Sequence, residues 1–312
     1  MPLIDDHGRR IRKLRVSLLD ACNFRCFYCM PTNPKFMSPS KWLPKDNIIS
    51  IVKALIPYGI EELRLTGGEP TLRPEFRQIV EELSPLPFKK LGLTTNGLLL
   101  SKHLNFLKQT TCQHLNISLD SLNRDKFNKI TRSKGFDLVM DSIIQAREME
   151  FDIKLNIILM KGINDDEILD FIKFSQDTSI EVRFLEMMRI GQACANQNEK
   201  FMPASEAIDI IKNHHRLQTV KVPLDATAFS FTTEKGAKIG FIASESQPFC
   251  SNCSRWRLSA EGFLRACLMK EDGVDLRGVP VDQYDRLLNE LLAKKPSGRV
   301  KEVSQDMNQI GG

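Results

Sequence analysis

Cys22, Cys26 and Cys29 stand in the run CNFRCFYC, a C-x3-C-x2-C spacing. Three thiolates this close on one loop can hold a metal centre but cannot complete a four-cysteine site. Zinc ribbons and fingers use paired C-x2-C knuckles closed by a fourth ligand, and ferredoxin runs supply a cysteine to every iron. The set therefore implies a [4Fe–4S] cluster with one iron open to a small molecule. The bland alternative is a chance or structural grouping. A second set follows at Cys250, Cys253 and Cys267, in FCSNCSRWRLSAEGFLRAC. A structural zinc completed by His214 or His215 is its plain reading. Arg255 and Arg257 argue against that reading. They alternate along an extended stretch and so share one face, and guanidiniums beside an open metal position suit a phosphate-bearing anion.

Other motifs carry chemistry more quietly. In Thr66-Gly67-Gly68-Glu69-Pro70 the glycines let the backbone approach a ligand closely, and Glu69 offers a carboxylate acceptor. Arg15, Arg64 and Lys154 fall on or beside predicted strands. An internal cation there wants an anion, either a ligand's or a neighbouring carboxylate's. Met188 suits core packing equally well. Cys112 precedes its strand and reads as an inert thiol, whereas Cys194 lies just past Met188, where it could approach a cluster. The tail Gln309-Ile310-Gly311-Gly312 reads first as a frayed end. Its two glycines, however, have no side chains to obstruct a narrow channel, and they place a free carboxylate at the tip.

The elements that position these residues follow from periodicity. Six apolar runs predict strands at Leu14–Leu19, Glu62–Thr66, Lys90–Thr95, Leu115–Leu119, Ile153–Met160 and Glu181–Met187. Helical patterns lie between them: Ile48 to Ile56 with Gly59 as a stop, Asp137–Met149, and a run through Ile168, Phe171 and Ile172 capped by Asp165 and Asp166. Six β–α alternations predict parallel strands. They are too few for a closed eightfold barrel, so the expected fold is a partial, TIM-like (β/α)6 barrel over residues 1–190. The polar motifs follow the strands, which places them on the carboxyl rim where barrel sites lie. Residues 191–312 form a smaller α+β region expected to cover the open side. It has a helix at Ala204–His215, short antiparallel strands at Phe229–Thr232 and Lys238–Ala243, the second cysteine set, and an amphipathic helix at Asp282–Lys294.

Composition excludes several classes. Lys plus Arg number 44 against 39 Asp plus Glu, an excess that suits an anionic small substrate and is too small for nucleic acid. The basic run Arg9 to Arg15 lacks interleaved aromatics and reads as a solvated strand edge. No stretch is long and apolar enough for a membrane span. The polar N-terminus lacks a leader's apolar core, which predicts a cytoplasmic protein. In that compartment the eight cysteines read as ligands or free thiols rather than disulfides.

CNFRCFYC together with TGGEP resembles the radical S-adenosylmethionine (SAM) superfamily. The resemblance implies that the amino and carboxylate groups of SAM close the open iron. An electron then splits SAM to leave a 5′-deoxyadenosyl radical, and Gly-Gly-Glu-Pro meets the methionyl amino group. It assigns Tyr28, Gly68, Ser118 and Met188 to the SAM site. With LGLTTNGLLL, LNISLDSL, KLNIILMKGIND and the terminal IGG, the chain resembles the molybdenum-cofactor biosynthesis protein A family, whose members are GTP 3′,8-cyclases. That resemblance runs from GRRIRKLRVSLLD to the last residue. It implies two [4Fe–4S] clusters, one cleaving SAM and one contacting the guanine of GTP. The ribose 3′ hydrogen is taken, C3′ closes onto C8, and the product feeds pyranopterin synthesis. GTP contacts then fall on Arg15, Arg64, Thr94, Lys154, Arg255, Trp256 and Arg257, with Arg255 and Arg257 serving catalysis. The tail, Gly311 and Gly312, is expected to enter the barrel mouth beside Arg15, Arg64 or Lys154. Implied partners are an electron donor such as flavodoxin or ferredoxin and a downstream pyranopterin-forming enzyme, with the chain a monomer or homodimer. Two features depart from the family: Ala21 stands where Arg is frequent, and Met30-Pro31 leads into the unusual loop Thr32–Trp42. Two other classes stay open. One is a radical SAM enzyme with an auxiliary cluster acting on a peptide or another small molecule. The other is a non-catalytic, zinc-containing RNA-associated protein.

Overall fold

In the computed structural model, which describes residues 2–311, all six predicted strands are present. They are β1 (Lys13–Ser17), β2 (Glu62–Thr66), β3 (Lys90–Thr95), β4 (His114–Ser118), β5 (Asp152–Leu159) and β6 (Glu181–Glu186). Each pairs in parallel with the next. Strand alternation gives them two faces. Leu14, Val16, Leu63, Leu65, Leu155 and Ile157 turn outward and are buried, packing within one core cluster with Ile48, Ile51, Val52 and Leu55 of the helix Lys45–Leu55. Each such side chain contributes about 1.5–3 kcal/mol by leaving water. The intervening residues Arg15, Arg64, Thr94, Asn116, Lys154 and Arg183 turn into the lumen, which is therefore polar.

The last third of the chain adds β7 (Leu217–Val220), β8 (Phe229–Thr233), β9 (Lys238–Ile242), β10 (Arg255–Leu258), β11 (Phe263–Arg265) and β12 (Val274–Asp275). This region, expected at the open side of the barrel, continues the same sheet at both edges, an arrangement the sequence did not predict. The order is β12-β11-β10-β1-β2-β3-β4-β5-β6-β9-β8-β7. β10 lies parallel to β1, with Arg15 opposite Arg257, and β9 lies parallel to β6. β8 and β9 are antiparallel, as expected, but β9 also extends the parallel run. Leu217–Val220 was not predicted, because a four-residue strand with one half-buried apolar side chain leaves no pattern.

Asp165 and Asp166 do not cap their helix as expected. They lie in a 3-10 turn, Asp165–Glu167, ahead of the helix Ile168–Thr178. Asp165 accepts from the Gly162 amide at 2.9 Å and Asp166 pairs with Lys126 at 2.6 Å. The loop Thr32–Trp42 is fastened to the first cysteine segment. Asp20 accepts from the Met37 amide at 2.7 Å and from the Trp42 indole at 3.3 Å. Arg25 lies over the Phe36 ring at 4.9 Å.

Candidate active site

One cavity of about 330 Å3 is lined by all six cysteines of the two sets. Cys22, Cys26 and Cys29 come from the loop after β1, at the carboxyl ends of the strands. The second set lies lower. Cys250 sits in a 3-10 turn (Cys250–Asn252), Cys253 just precedes β10, and Cys267 just follows β11, which is antiparallel to β10. The motifs after the first strands share the carboxyl rim, as predicted, but the second triad faces them from the amino-terminal end of β10. The cavity separates the two.

The thiols differ in surroundings. Burial, with Glu69 nearby, pushes Cys22 up to about 11, and burial with the neighbouring Cys22 pushes Cys29 up to about 12. Cys26 is also raised well above the ordinary thiol range, by burial first and Asp120 next. Donors already aim at sulfur: the Phe24 amide at 3.4 Å and the Asn96 side-chain amide at 3.6 Å from Cys22. Burial would also raise Cys253, yet Arg255 and Lys295 overcome it and hold the thiol down at about 6. The Met269 amide donates to Cys267 Sγ at 3.4 Å. Thiol-only sets with amide donors fit iron–sulfur clusters, where each iron takes its own cysteine. Among the described residues no three His, Cys, Asp or Glu side chains converge as they would around a single ion.

The glycines of TGGEP also permit a close approach within the chain itself. A β-carbon on Gly68 would strike the carbonyl oxygens of Ala21 and Asp20, so the close neighbour is the cysteine loop itself. Gly68 and Glu69 amides donate to the Leu19 and Ala21 carbonyls at 2.8 Å each. Gly67 and Gly68 still line the cavity. The Glu69 carboxylate is fully buried and turned inward. It accepts from the Thr71 hydroxyl at 2.5 Å, the Thr95 hydroxyl at 2.7 Å and the Asn96 amide at 2.7 Å. It thus ties the loops after β2 and β3 together, with Oε1 taking the threonine donors and Oε2 the Asn96 amide.

Tyr28, Ser118 and Met188 line the cavity with Gly68. The Tyr28 hydroxyl donates to Asp120 at 2.6 Å, and burial raises that carboxyl to about 6. Asp120 was missed in the sequence, where SLDS read only as a strand end. Thr94, Arg15, Arg255 and Arg257 also face this cavity. Arg64 and Lys154 line a second cavity of about 520 Å3 toward the amino-terminal ends of the strands. The two cavities share Arg15, Asn116, Arg183, Thr227 and Arg255 as common wall. Gly92, opposite Arg64, leaves room for its guanidinium, which a β-carbon would approach to 3.0 Å.

Charge in the lumen is unbalanced. The Arg15 side chain makes no hydrogen bond or ion pair among the described residues. Burial, then Arg257, Arg255 and Arg64, push its guanidinium well below the usual range. Arg257 is buried, its Nε has no partner, and burial plus Arg255 bring it down to about 10. Arg255 donates to the Thr227 hydroxyl at 2.7 Å and lies over Phe249 at 4.9 Å. Lys154 differs, since it is paired with Glu181 at 2.6 Å. Trp256 differs too. Its side chain is fully buried in the core on the opposite face of β10, so only its main chain is available to a ligand. Cys112 is buried and raised to about 12, as an inert thiol should be. Cys194 is half-buried, with its thiol toward the Val303 carbonyl at 3.8 Å.

The tail also reaches this site. Met307 and Asn308 line the cavity, and Asn308 donates to the Asp20 carbonyl at 3.1 Å. Gly311, at φ +74°, packs against Ser17 at the end of β1 so closely that a β-carbon would overlap the hydroxyl. Gly312 lies outside the described residues.

A family model for the radical SAM superfamily matches residues 16–175, and one for Molybdenum Cofactor Synthesis C matches residues 180–304. A GTP 3′,8-cyclase of Synechocystis sp. is 47% identical over 310 residues, 99% of this chain and 95% of that protein. One from Listeria welshimeri is 39% identical over 99% of both. The fold resembles SuiB of Streptococcus suis bound to S-adenosylmethionine, with a TM-score of 0.68 over 97% of this chain and 78% of that one, at 12% identity. An open parallel barrel with a three-cysteine loop after its first strand, in a chain so matched, defines a radical SAM enzyme. Within that class, the chain belongs to the GTP 3′,8-cyclase family.

Proposed function

We propose that this chain works as a GTP 3′,8-cyclase in the first step of molybdenum-cofactor biosynthesis, with the nucleotide held between the two cysteine sets. The observation that carries the substrate reading is the group of under-neutralised guanidiniums, Arg15, Arg64, Arg255 and Arg257, around two adjoining cavities between the triads. Cations left so poorly paired in a buried lumen call for a polyanion, and planar guanidiniums match phosphate. Its cofactors are S-adenosylmethionine and [4Fe–4S] clusters. Cys22, Cys26 and Cys29 would hold the first cluster, and Cys250, Cys253 and Cys267 the second. When bound, they supply the electron that cleaves SAM and an open iron for the guanine.

Tyr28, Gly68, Ser118 and Met188 would seat SAM against the upper triad. Arg15, Thr94, Arg255 and Arg257 would bind the nucleotide, with Trp256 offering main chain alone. Arg64 and Lys154 would meet its far phosphates in the lower cavity, Lys154 by sharing the charge it now gives Glu181. Seating the ribose between the two triads would limit the access of bulk water to a radical there. Gly311 and Gly312 would close the mouth beside Ser17 and Arg15. We place the chain in the cytoplasm, with an electron donor such as flavodoxin or ferredoxin and a downstream pyranopterin-forming enzyme as partners. The test is anaerobic reconstitution with iron and sulfide, then dithionite, SAM and GTP, with mass spectrometry of the nucleotide. An isomer of GTP cyclised at C8 is expected. Formation of 5′-deoxyadenosine with GTP unchanged would refute the substrate.

A further inference from the structure

Behind the lower triad lie two buried cations that the reading above leaves unused. Lys295 is 5% exposed and pairs with no carboxylate among the described residues. Its ammonium donates to the Arg255 carbonyl at 3.0 Å, the Ala266 carbonyl at 2.9 Å and Cys253 Sγ at 3.6 Å. An ammonium has three protons, and these three acceptors account for all of them. Arg255 follows Cys253 by two residues and Ala266 directly precedes Cys267, so one side chain grips the segments carrying two of the thiols. Arg9 holds the third. Its Nη1 donates to the Cys250 carbonyl at 2.7 Å and its Nη2 to the Lys295 carbonyl at 3.5 Å, while Nε pairs with Asp5 at 2.6 Å. The three cysteine segments are thus clasped from behind by residues near the two ends of the chain.

A buried ammonium with two neutral carbonyl acceptors still lacks a counter-charge, which is costly unless an anion stands beside it. The anion within reach is the Cys253 thiolate and whatever it ligates. Among the described residues no cation donates to an upper-triad sulfur, and Cys22 Sγ takes the neutral Phe24 and Asn96 amides instead. Glu69, Asp120 and Asp306 disfavour those thiolates, and the cation near them, Arg25, turns its Nη1 to the Cys22 and Phe24 carbonyls rather than to sulfur.

We propose that Lys295 is a positioning residue for the second cysteine centre: it fixes the thiols of Cys253 and Cys267, and its charge sets that centre at a higher reduction potential than the first. A positive charge beside a cluster favours the reduced, more negative state, and hydrogen bonds to sulfur act in the same direction. The assignment rests on the reading of Cys250, Cys253 and Cys267 as cluster ligands. It gives the two centres different tasks: the upper one tuned to give up an electron, the lower one to keep its charge and hold substrate.

The experiment uses the full chain in a Cys22→Ala, Cys26→Ala, Cys29→Ala background, so that only the second centre is reconstituted. Iron content, the rate of iron loss to a chelator, and the midpoint potential from electron paramagnetic resonance titration are compared with Lys295→Met and Lys295→Arg added. Lys295→Met should lower the midpoint and speed iron loss several-fold, while Lys295→Arg, which keeps the charge, should stay near the parent potential. Parent-like potential and iron retention in Lys295→Met would overturn the proposal, as would an arginine form that falls as far as the methionine form. If the methionine form does not fold, as judged by circular dichroism, the arginine form decides alone by matching the parent or not. No iron in the parent itself would instead refute the second cluster.

Discussion

Arg257 offers the most direct test at the scale of single residues, because it is buried in the lumen with an unpartnered Nε. Arg257→Ala should weaken GTP binding roughly ten- to a hundred-fold, the loss of a charge-assisted contact of about 1.5–3 kcal/mol, with both clusters still assembled. Lysine should rescue it poorly, since a point charge lacks the planar fork. Isothermal titration with GTP measures this, and unchanged affinity would remove Arg257 from the site. The cysteine sets separate by readout. Alanines at Cys22, Cys26 and Cys29 should abolish 5′-deoxyadenosine formation altogether. Alanines at Cys250, Cys253 and Cys267 should abolish cyclisation while some cleavage of SAM survives. Intact cyclisation in the second variant would make that set structural. Much of this was legible from spacing alone, since thiol triads and Arg-x-Arg are local patterns. For Trp256 the same strand alternation that puts Arg255 and Arg257 in the lumen turns the side chain the other way, which leaves its main chain for a ligand. Lys295 left no signal, because at a helix end in LLAKKPSGRV a buried lysine reads like an exposed one.

Among elements, the loop after β2 and the cysteine loop after β1 meet in a tight junction, closed by Gly68 against two backbone carbonyls. Neither partner is a flexible side chain, so Gly68→Ala must displace the cysteine loop. The reconstituted variant should fall from ~8 irons per chain toward ~4 and lose SAM cleavage while keeping the second centre's resonance. Full iron content would show that the loop can give way. A second junction joins the last third to the barrel. Asp225 pairs with Arg12 at 2.5 Å and Lys13 at 3.2 Å, and it also accepts from the Ser254 hydroxyl. Burial opposes ionisation there, but Arg12, Ser254 and Lys13 outweigh it and hold the carboxyl at about 2 against its ordinary 3.8. The unfolded chain then binds this proton more readily than the folded one. The pair's stabilisation, roughly 2 kcal/mol, is present above pH ~4 and lost as pH falls through ~2. Asp225→Asn should flatten the dependence of the urea midpoint on pH across that window, and an unaltered slope would assign it to other carboxylates. The six barrel strands were readable because each carries its own apolar alternation. The pairing of β10 with β1 was not, because nothing in either segment names a partner so far along the chain.

At the scale of the whole molecule, the C-terminal tail and the first strand meet at one place. Gly311 packs against Ser17, and Asn308, which lines the cavity, donates to the Asp20 carbonyl. Deleting Gly311 and Gly312 should cut product formation at least tenfold, equivalent to ~1.4 kcal/mol in the barrier, with iron content and SAM cleavage spared. One residue added after Gly312 should do similar harm. Wild-type rates in both would reduce the tail to a frayed end. The two flanking strands carry a different consequence, for the making of the protein. β1 waits for β10 and β6 for β9, each supplied by the last third of the chain. On a ribosome moving at ~5–20 residues per second, β1 emerges roughly 10–50 s before its outer neighbour exists. β6 is made about 170 residues after β1 and waits only roughly 3–11 s for β9. The β1 edge therefore stays unpaired through most of synthesis and both edges together only briefly, each the kind of surface that recruits another strand. This protein should therefore lean on chaperones during synthesis more than its finished stability would suggest, and a chain truncated near residue 190 should aggregate.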